Sequence, residues 1–215
     1  MERPKLVIFD CDGVLVDSEP ITNQILRGSL AAYGLDLQIS DMGRLFVGGT
    51  MAGVMSKARE LGADLPDHWL DVIYSQIYAE LQEQVEIVPG VEVLLDQLDA
   101  AGVGYAVGSN GPMRKMEITL GRTGLLSRLE GRIFSSHDCA APKPAPDVYL
   151  NAAAHAGLAT ADCVVIEDSA TGARAGRAAG MRCYGYCGET SPDILKPICN
   201  DVFHDMAELK SILRL

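Results

Sequence analysis

The sequence predicts an α/β fold, a doubly wound parallel sheet, with an α-helical domain inserted after its first strand. Short apolar runs recur along the 215 residues and are separated by segments of helical periodicity. The first run, residues 6–9, is apolar at every position and ends at an aspartate. An uninterrupted apolar strand is typical of a parallel sheet that is buried on both faces.

The recurring apolar runs define the predicted sheet. We expect strands at residues 6–9, 103–107, 132–135, 164–166 and 182–186. Apolar residues with helical spacing between the runs, such as Leu94, Leu95 and Leu98, provide the crossover helices. Ligands of such folds bind outside the carboxyl ends of the strands. The residues that follow each strand are therefore the first functional candidates.

The segment between the first two predicted strands is too long for a single crossover and has a helical pattern throughout. Pro20 is typical of a helix start, and Thr50 is a candidate N-cap. The segment ends at Val88-Pro89-Gly90, where the chain returns to the sheet. We therefore predict a helical cap domain at 18–85 and an α/β catalytic core formed by 1–17 and 86–215.

Composition excludes several classes of function. Hydrophobic residues make up 48% of the chain, enough for a large core, yet no apolar run reaches the ~20 residues that span a bilayer. The net charge of -11 disfavours nucleic acid as a partner, because binding a phosphate backbone requires clustered cations. With no secretion signal at the start, the sequence predicts a cytoplasmic protein that contacts neither membrane nor nucleic acid.

The six cysteines lack the paired spacing of a zinc site. We interpret them as reduced, mostly buried thiols. The alternative is that Cys183 and Cys187 form a metal or redox pair.

Chemistry-bearing residues follow the predicted strands. Asp10 and Asp12 come after the first strand, and Ser109 and Asn110 come after the second. A single lysine, Lys143, stands in a proline-rich loop, and the acids at 167 and 168 end the fourth strand. Acids gathered at one edge of the sheet would repel one another without a cation. Their oxygen ligands favour Mg²⁺.

Four segments are similar, in order, to the four motifs of the haloacid dehalogenase superfamily, in its branch of phosphatases and β-phosphoglucomutase-like proteins. These segments are FDCDGVLVDSE, SN at 109–110, KPAPD and EDSATGARAGRAAGM. The resemblance implies a Rossmann-like core, a cap inserted after the first motif and magnesium-dependent chemistry.

The resemblance also implies roles for the motif residues. Asp10 would be the nucleophile and a metal ligand, and Asp12 the general acid and base, with its backbone carbonyl on the metal. Asp168 would complete the metal ligands, and Glu167 would support them from behind. Ser109 and Lys143 would hold the phosphoryl oxygens during catalysis. The residues expected to contact substrate are Ser109, Asn110 and Lys143 from the core, and Glu19, Gly49 and Thr50 from the cap and its border.

The predicted function is hydrolysis of a small phosphorylated metabolite through an aspartyl-phosphate intermediate. We expect a sugar phosphate or sugar-acid phosphate such as 6-phosphogluconate. The alternative is a β-phosphoglucomutase-like mutase, although such enzymes carry a histidine in the helix after the first motif, where this chain has Thr22. A non-catalytic binding module is a further alternative, disfavoured because the reactive positions are intact. The sequence does not predict the oligomeric state.

Overall fold

The computed structural model describes residues 2–46 and 50–215. Its strands are β1 (Leu6–Phe9), β2 (Val16–Asp17), β3 (Glu86–Ile87), β4 (Gly104–Ser109), β5 (Ile133–Ser135), β6 (Cys163–Glu167), β7 (Arg182–Tyr186) and β8 (Asp201–Phe203). Six of them form a parallel sheet in the order β5-β4-β1-β6-β7-β8, and β2 pairs with β3 in an antiparallel ribbon.

Helices fill the connections between the strands. They are α1 (Glu19–Ala32), α2 (Ile39–Phe46), α3 (Met51–Glu60), α4 (Trp69–Gln84), α5 (Val91–Ala101), α6 (Met113–Arg122), α7 (Leu126–Leu129), α8 (Asp147–His155), α9 (Ala170–Ala178), α10 (Pro192–Leu195) and α11 (Leu209–Leu213). The first four lie between β2 and β3. In the described part of the chain, none is both long and apolar enough to cross a membrane.

The sheet is buried on both faces, which confirms the predicted fold class. Alternate residues of β1 belong to different apolar clusters: Val7 and Phe9 pack on one side, and Leu6 and Ile8 on the other. Side chains point to opposite faces at successive strand positions, so a strand covered on both sides must be apolar throughout. The five predicted strands are present, and β8, β2 and β3 are additional.

The strand order locates the functional edge. The central strand β1 has β4 on one side and β6 on the other, and the chain proceeds outward from β1 in both directions. The crevice at the carboxyl end of β1 is thus the switch point, where α/β folds of this type bind ligands.

The inserted helices leave and return to the sheet through the β2–β3 ribbon. Val16 is paired with Ile87, and the Val88 amide donates to the Leu15 carbonyl at 3.0 Å. The predicted helix starts are observed: Pro20 lies in the first turn of α1, and the Thr50 side chain accepts from the Gly53 amide at 3.2 Å at the start of α3.

Candidate active site

Polar side chains from three strand ends meet at the switch point. Asp10 directly follows β1, Ser109 ends β4 and Glu167 ends β6, with Asp168 next along the chain. All four are buried, although they are polar. They line one cavity of about 130 Å³, together with Lys143 from the loop before α8. Burial of this many ionisable groups is costly unless they are paired or bind a cation.

Lys143 links two of the buried carboxylates. Its Nζ lies 2.5 Å from Asp10 Oδ1 and 2.7 Å from Glu167 Oε1. Although burial lowers the pKa of Lys143, the carboxylates of Asp10 and Glu167 raise it further, so the side chain is a cation. The pKa of Asp10 is raised to about 7 because burial, together with the charges of Glu167 and Asp12, outweighs the effect of Lys143.

Glu167 is held from several directions. Its Oε1 also accepts from the Tyr149 hydroxyl at 2.8 Å, and its Oε2 accepts from the amide and the hydroxyl of Ser169, both at 3.0 Å. The Tyr149 ring centroid lies 4.7 Å from the Lys143 ammonium. The position of Lys143 is therefore determined by a fully bonded carboxylate and an aromatic face.

Ser109 and Asn110 shape the adjoining turn. The Ser109 hydroxyl accepts from the Gly111 amide at 2.9 Å. The Asn110 side chain accepts from the Lys143 amide at 2.9 Å and donates to the Lys143 carbonyl at 3.4 Å. Asn110 thereby ties the lysine loop to the end of β4.

Asp12 lines the cavity beside the start of α1. Its Oδ1 accepts from Lys115 Nζ at 2.7 Å and from the Ser18 hydroxyl at 2.5 Å. Burial alone would raise the pKa of Asp12, but Lys115 and the Ser18 hydrogen bond outweigh it and lower the pKa.

Asp168 has no hydrogen bond or ion pair within residues 2–46 and 50–215. Burial raises its pKa well above the usual range, and the charges of Glu167, Asp10 and Glu19 add to this. Its carboxylate lies against the backbone of Gly13, where a Cβ atom would overlap Oδ2. A buried, unpaired carboxylate of this kind favours a cation.

The donor set fits a hard divalent ion. No group of three or more acidic, histidine or cysteine side chains forms a metal cluster in the described residues. Asp168 is unpaired in the described residues, and Asp10 is paired through Oδ1 alone, so these two carboxylates are in a position to bind an ion. Their oxygens, with a backbone carbonyl and waters, match the preference of Mg²⁺.

The opposite wall of the cavity comes from the inserted helices. Polar residues there include Glu19, Thr22, Thr50 and Tyr74, and the apolar ones are Leu26, Phe46, Met51 and Val54. Burial, with the charge of Asp12, raises the pKa of Glu19 to about 7. The Thr22 hydroxyl is buried and has no hydrogen-bond partner in the part of the chain that the structure describes. Gly49 lies outside the described residues, so its substrate contact stays a prediction.

Sequence reasoning missed Tyr149, Ser18 and Lys115 in this arrangement. Tyr149 lies in α8, where its apolar neighbours make it resemble an ordinary core residue. Ser18 stands at the N-cap position of α1, but its hydroxyl donates to Asp12 instead of capping the helix. No sequence signal distinguished Ser18 from an ordinary cap.

All six cysteines are free thiols, as predicted. The Cys183 sulfur lies 3.9 Å from that of Cys199, which precedes β8. Cys183 thus has a sulfur contact with Cys199, whereas the alternative considered from sequence was a pair with Cys187.

Comparison with known proteins agrees with this site. The sequence profile of the haloacid dehalogenase-like hydrolases matches residues 4–180. The 6-phosphogluconate phosphatase of Escherichia coli is 29% identical over 191 residues, which are 88% of this chain and 85% of that protein. Protein CbbY of Rhodobacter capsulatus is 34% identical over 190 residues, 83% of each chain.

A solved structure is similar over nearly the whole chain. The haloacid dehalogenase-like protein of unknown function from Agrobacterium tumefaciens superposes with a TM-score of 0.86 at 32% identity, covering 98% of this chain and 97% of that one. The chain therefore belongs to the haloacid dehalogenase-like hydrolases. Within that family it is an enzyme of the phosphatase kind, as the names of several relatives indicate.

Proposed function

We propose that this enzyme is a magnesium-dependent phosphatase in which Asp10 attacks the phosphorus of a small phosphate monoester. The observation that carries the proposal is the Asp10 carboxylate itself. It is buried at the switch point, and Lys143 holds one of its oxygens at 2.5 Å. An oriented carboxylate with its cation in place is the arrangement that nucleophilic catalysis on a phosphoryl group requires.

The reaction then proceeds in two steps on Asp10. In the first, a carboxylate oxygen of Asp10 bonds to phosphorus and the bond from phosphorus to the alcohol oxygen breaks. Asp12 gives a proton to that oxygen, and it must take up this proton in the substrate complex because Lys115 and Ser18 lower its pKa in the free protein. In the second, Asp12 takes a proton from a water molecule that attacks the aspartyl-phosphate, which releases phosphate and restores Asp10.

Charge neutralisation belongs to the groups around Asp10. Lys143 and Ser109 hold phosphoryl oxygens as negative charge spreads over them in the transition state. Asp10, Asp168 and the Asp12 carbonyl would hold Mg²⁺, which would supply further positive charge for the approach of an anionic carboxylate to an anionic ester. Glu167 binds the Lys143 ammonium and thereby holds it beside Asp10.

The substrate that we propose is a phosphorylated sugar or sugar acid, and 6-phosphogluconate is the first compound to test. Two relatives support this class: the 6-phosphogluconate phosphatase, and the fructose-1-phosphate phosphatase YqaB of Escherichia coli, which is 32% identical over 84% of this chain and 95% of that protein. Glu19, Thr22 and Tyr74 offer polar contacts for hydroxyl groups in a cavity suited to small molecules. Residues 18–85 would form the cap that contacts the hydroxyl groups of the substrate.

Hydrolysis is favoured over a mutase reaction. Thr22 lies in the cavity wall at the position where the mutases carry histidine, and its hydroxyl has no ring nitrogen for proton transfer. The free thiols fit a reducing compartment, and we expect the enzyme to act in the cytoplasm.

Phosphate release from 6-phosphogluconate, other sugar phosphates, nucleotides and phosphoglycolate, with and without Mg²⁺, tests the proposal. Asp10→Asn should lower turnover by about 1,000-fold or more, since an amide is a poor nucleophile. Asp162→Asn changes a partly exposed aspartate that pairs with Lys5, outside the cavity; it is the matched control and should retain activity. A folded Asp10→Asn enzyme with near-normal turnover would rule out the mechanism. Faster hydrolysis of nucleotides or phosphoglycolate would overturn the substrate class alone.

A further inference from the structure

Lys115 is partly buried in the cavity wall and belongs to none of the four motifs. It lies in the first turn of α6, and its side chain is 13% exposed. Its one hydrogen-bonded ion pair among the described residues is with Asp12 Oδ1, at 2.7 Å. The other lysine of the cavity, Lys143, is bound to Asp10 and Glu167.

The two oxygens of Asp12 have different surroundings. Oδ1 receives both Lys115 and the Ser18 hydroxyl, whereas Oδ2 has no hydrogen-bond partner in the described part of the chain. Oδ2 faces the turn after β4. A Cβ placed on Gly111 would lie 3.5 Å from Asp12 Oδ2 and 3.3 Å from Ser109 Oγ, so the free oxygen is on the side of the expected phosphoryl group.

The Lys115 side chain also runs along this turn. Its Cδ lies 3.7 Å from the same Cβ position on Gly111. Because Gly111 has no side chain, the lysine stem, the free Asp12 oxygen and Ser109 all converge on one point. Lys115 reaches Asp12 from α6, which begins at Met113, shortly after β4 ends at Ser109.

We infer that Lys115 is a positioning residue for Asp12. With Ser18, it binds Oδ1 and thereby directs Oδ2 toward the oxygen that leaves phosphorus. An ammonium and a hydroxyl on one oxygen restrict rotation of the carboxylate, and proton transfer depends on heavy-atom distances of about 2.6–3.2 Å. The inference rests on the proposed function, in which Asp12 gives a proton to the leaving oxygen.

Leaving-group dependence tests the inference. The parameter kcat/KM reports the steps up to departure of the leaving group, and it is measured for phenyl phosphate and for 2,4-dinitrophenyl phosphate. Phenoxide needs the proton from Asp12 as the P–O bond breaks, whereas dinitrophenolate departs as an anion. For Lys115→Met we expect a loss on phenyl phosphate at least tenfold greater than the loss on the dinitrophenyl ester.

Further variants separate positioning from loss of charge or fold. Ser18→Ala removes the other donor and should produce the same selective loss, smaller in size, and Lys115→Arg should recover part of it. Lys57→Met removes an exposed cap lysine that pairs with Glu60 and should change neither ester. If Lys115→Met does not fold, the Ser18→Ala comparison decides.

The possible outcomes are distinct. Equal losses on both esters in Lys115→Met, or no loss on either, would overturn the positioning role while leaving the phosphatase proposal intact. If the unaltered enzyme releases phosphate from no ester, or if Asp10→Asn matches it, the proposed function fails, and the role of Lys115 fails with it.

Discussion

Gly172 in α9 lies directly beside the Glu167 carboxylate. A Cβ atom at this position would overlap both oxygens of that side chain, which is itself bound to Lys143, Tyr149 and Ser169. The repeated small residues of α9 favour close packing on the sheet, and Gly176, whose Cβ would lie 3.1 Å from Val165 in β6, agrees with this. At Gly172, a side chain is excluded by the Glu167 carboxylate of the candidate active site.

We predict that Gly172→Ala destabilises the protein by about 2 kcal/mol or more, because an added methyl group would displace a bonded carboxylate. Gly28→Ala is the matched control. Gly28 is also in a helix interior, and its Cβ would meet nothing within 4 Å. It should gain about 0.5–1 kcal/mol from helix propensity. Urea unfolding gives the free energy of unfolding, which should fall in Gly172→Ala and rise in Gly28→Ala. Equal changes in the two variants would contradict the overlap at Gly172.

Two buried tyrosines should differ in how much their hydroxyl groups contribute to the free energy of unfolding. Tyr149→Phe removes a donor from Glu167 and should cost about 1–3 kcal/mol in the free energy of unfolding. The Tyr184 hydroxyl is buried with no hydrogen-bond partner in the described residues. Tyr184→Phe should therefore be neutral or stabilising. Thermal or urea unfolding compares the pair, and a larger loss at Tyr184 would be contrary to this account of Glu167.

At the scale of elements, helix α6 of the sheet contacts helix α4 of the inserted segment. Arg122 Nη2 donates to the Glu83 carbonyl at 3.3 Å, and the Arg114 guanidinium carbon lies 5.9 Å from the Tyr78 ring centroid. We propose that the inserted helices hinge about the β2–β3 ribbon and that these contacts stabilise the closed arrangement. Closure of this kind excludes water from a phosphoryl-transfer site.

Arg122→Ala should therefore favour the open arrangement. Loss of an exposed hydrogen bond of about 0.5–1 kcal/mol corresponds to a two- to fivefold change in the ratio of open to closed. We expect a larger radius of gyration by small-angle scattering without ligand and a smaller difference with inorganic phosphate. Arg27→Ala removes a similar contact, to the Leu37 carbonyl within the inserted segment, and should leave the scattering unchanged. Identical curves for the original protein with and without phosphate would argue against a hinge.

At the scale of the whole molecule, we predict that binding of Mg²⁺ stabilises the folded protein. Mg²⁺ at 100 times its dissociation constant should add about 2.7 kcal/mol, which raises Tm by roughly 5–10 °C for a chain of this size. Any salt also screens the repulsion among the charges of a protein whose net charge is -11. The Tm with Mg²⁺ is therefore compared with the Tm in NaCl of equal ionic strength.

The Asp168→Asn variant tests whether Asp168 binds the ion. Without metal, Asp168→Asn should have a higher Tm than the original protein, because it removes a buried carboxylate that is repelled by Glu167 and Asp10. With metal, the variant should show little further increase. A full magnesium shift in Asp168→Asn would mean that the ion binds elsewhere. Differential scanning calorimetry measures both arms without any assay of activity.

The sequence by itself determined the sheet and most of the site. A strand covered on both faces must be apolar throughout, so β1 and its neighbours could be predicted from the positions of apolar runs along the chain. Parallel strands have their carboxyl ends at one edge, so Asp10, Ser109, Glu167 and Asp168 had to lie near one another once the strands were known. The helix starts at Pro20 and Thr50 follow from local backbone chemistry in the same way.

Only the tertiary structure decided what these groups contact. The bond from Tyr149 to Glu167, the pairing of Asp12 with Lys115 and Ser18, and the overlap at Gly172 join positions from different elements of the fold. Strands β2 and β3 are two residues each, too short for a periodic signal, and they exist because each pairs with the other. Periodicity reports which face of an element is buried, whereas side-chain partners depend on how the elements are arranged in space, and that arrangement is set by packing of the whole core.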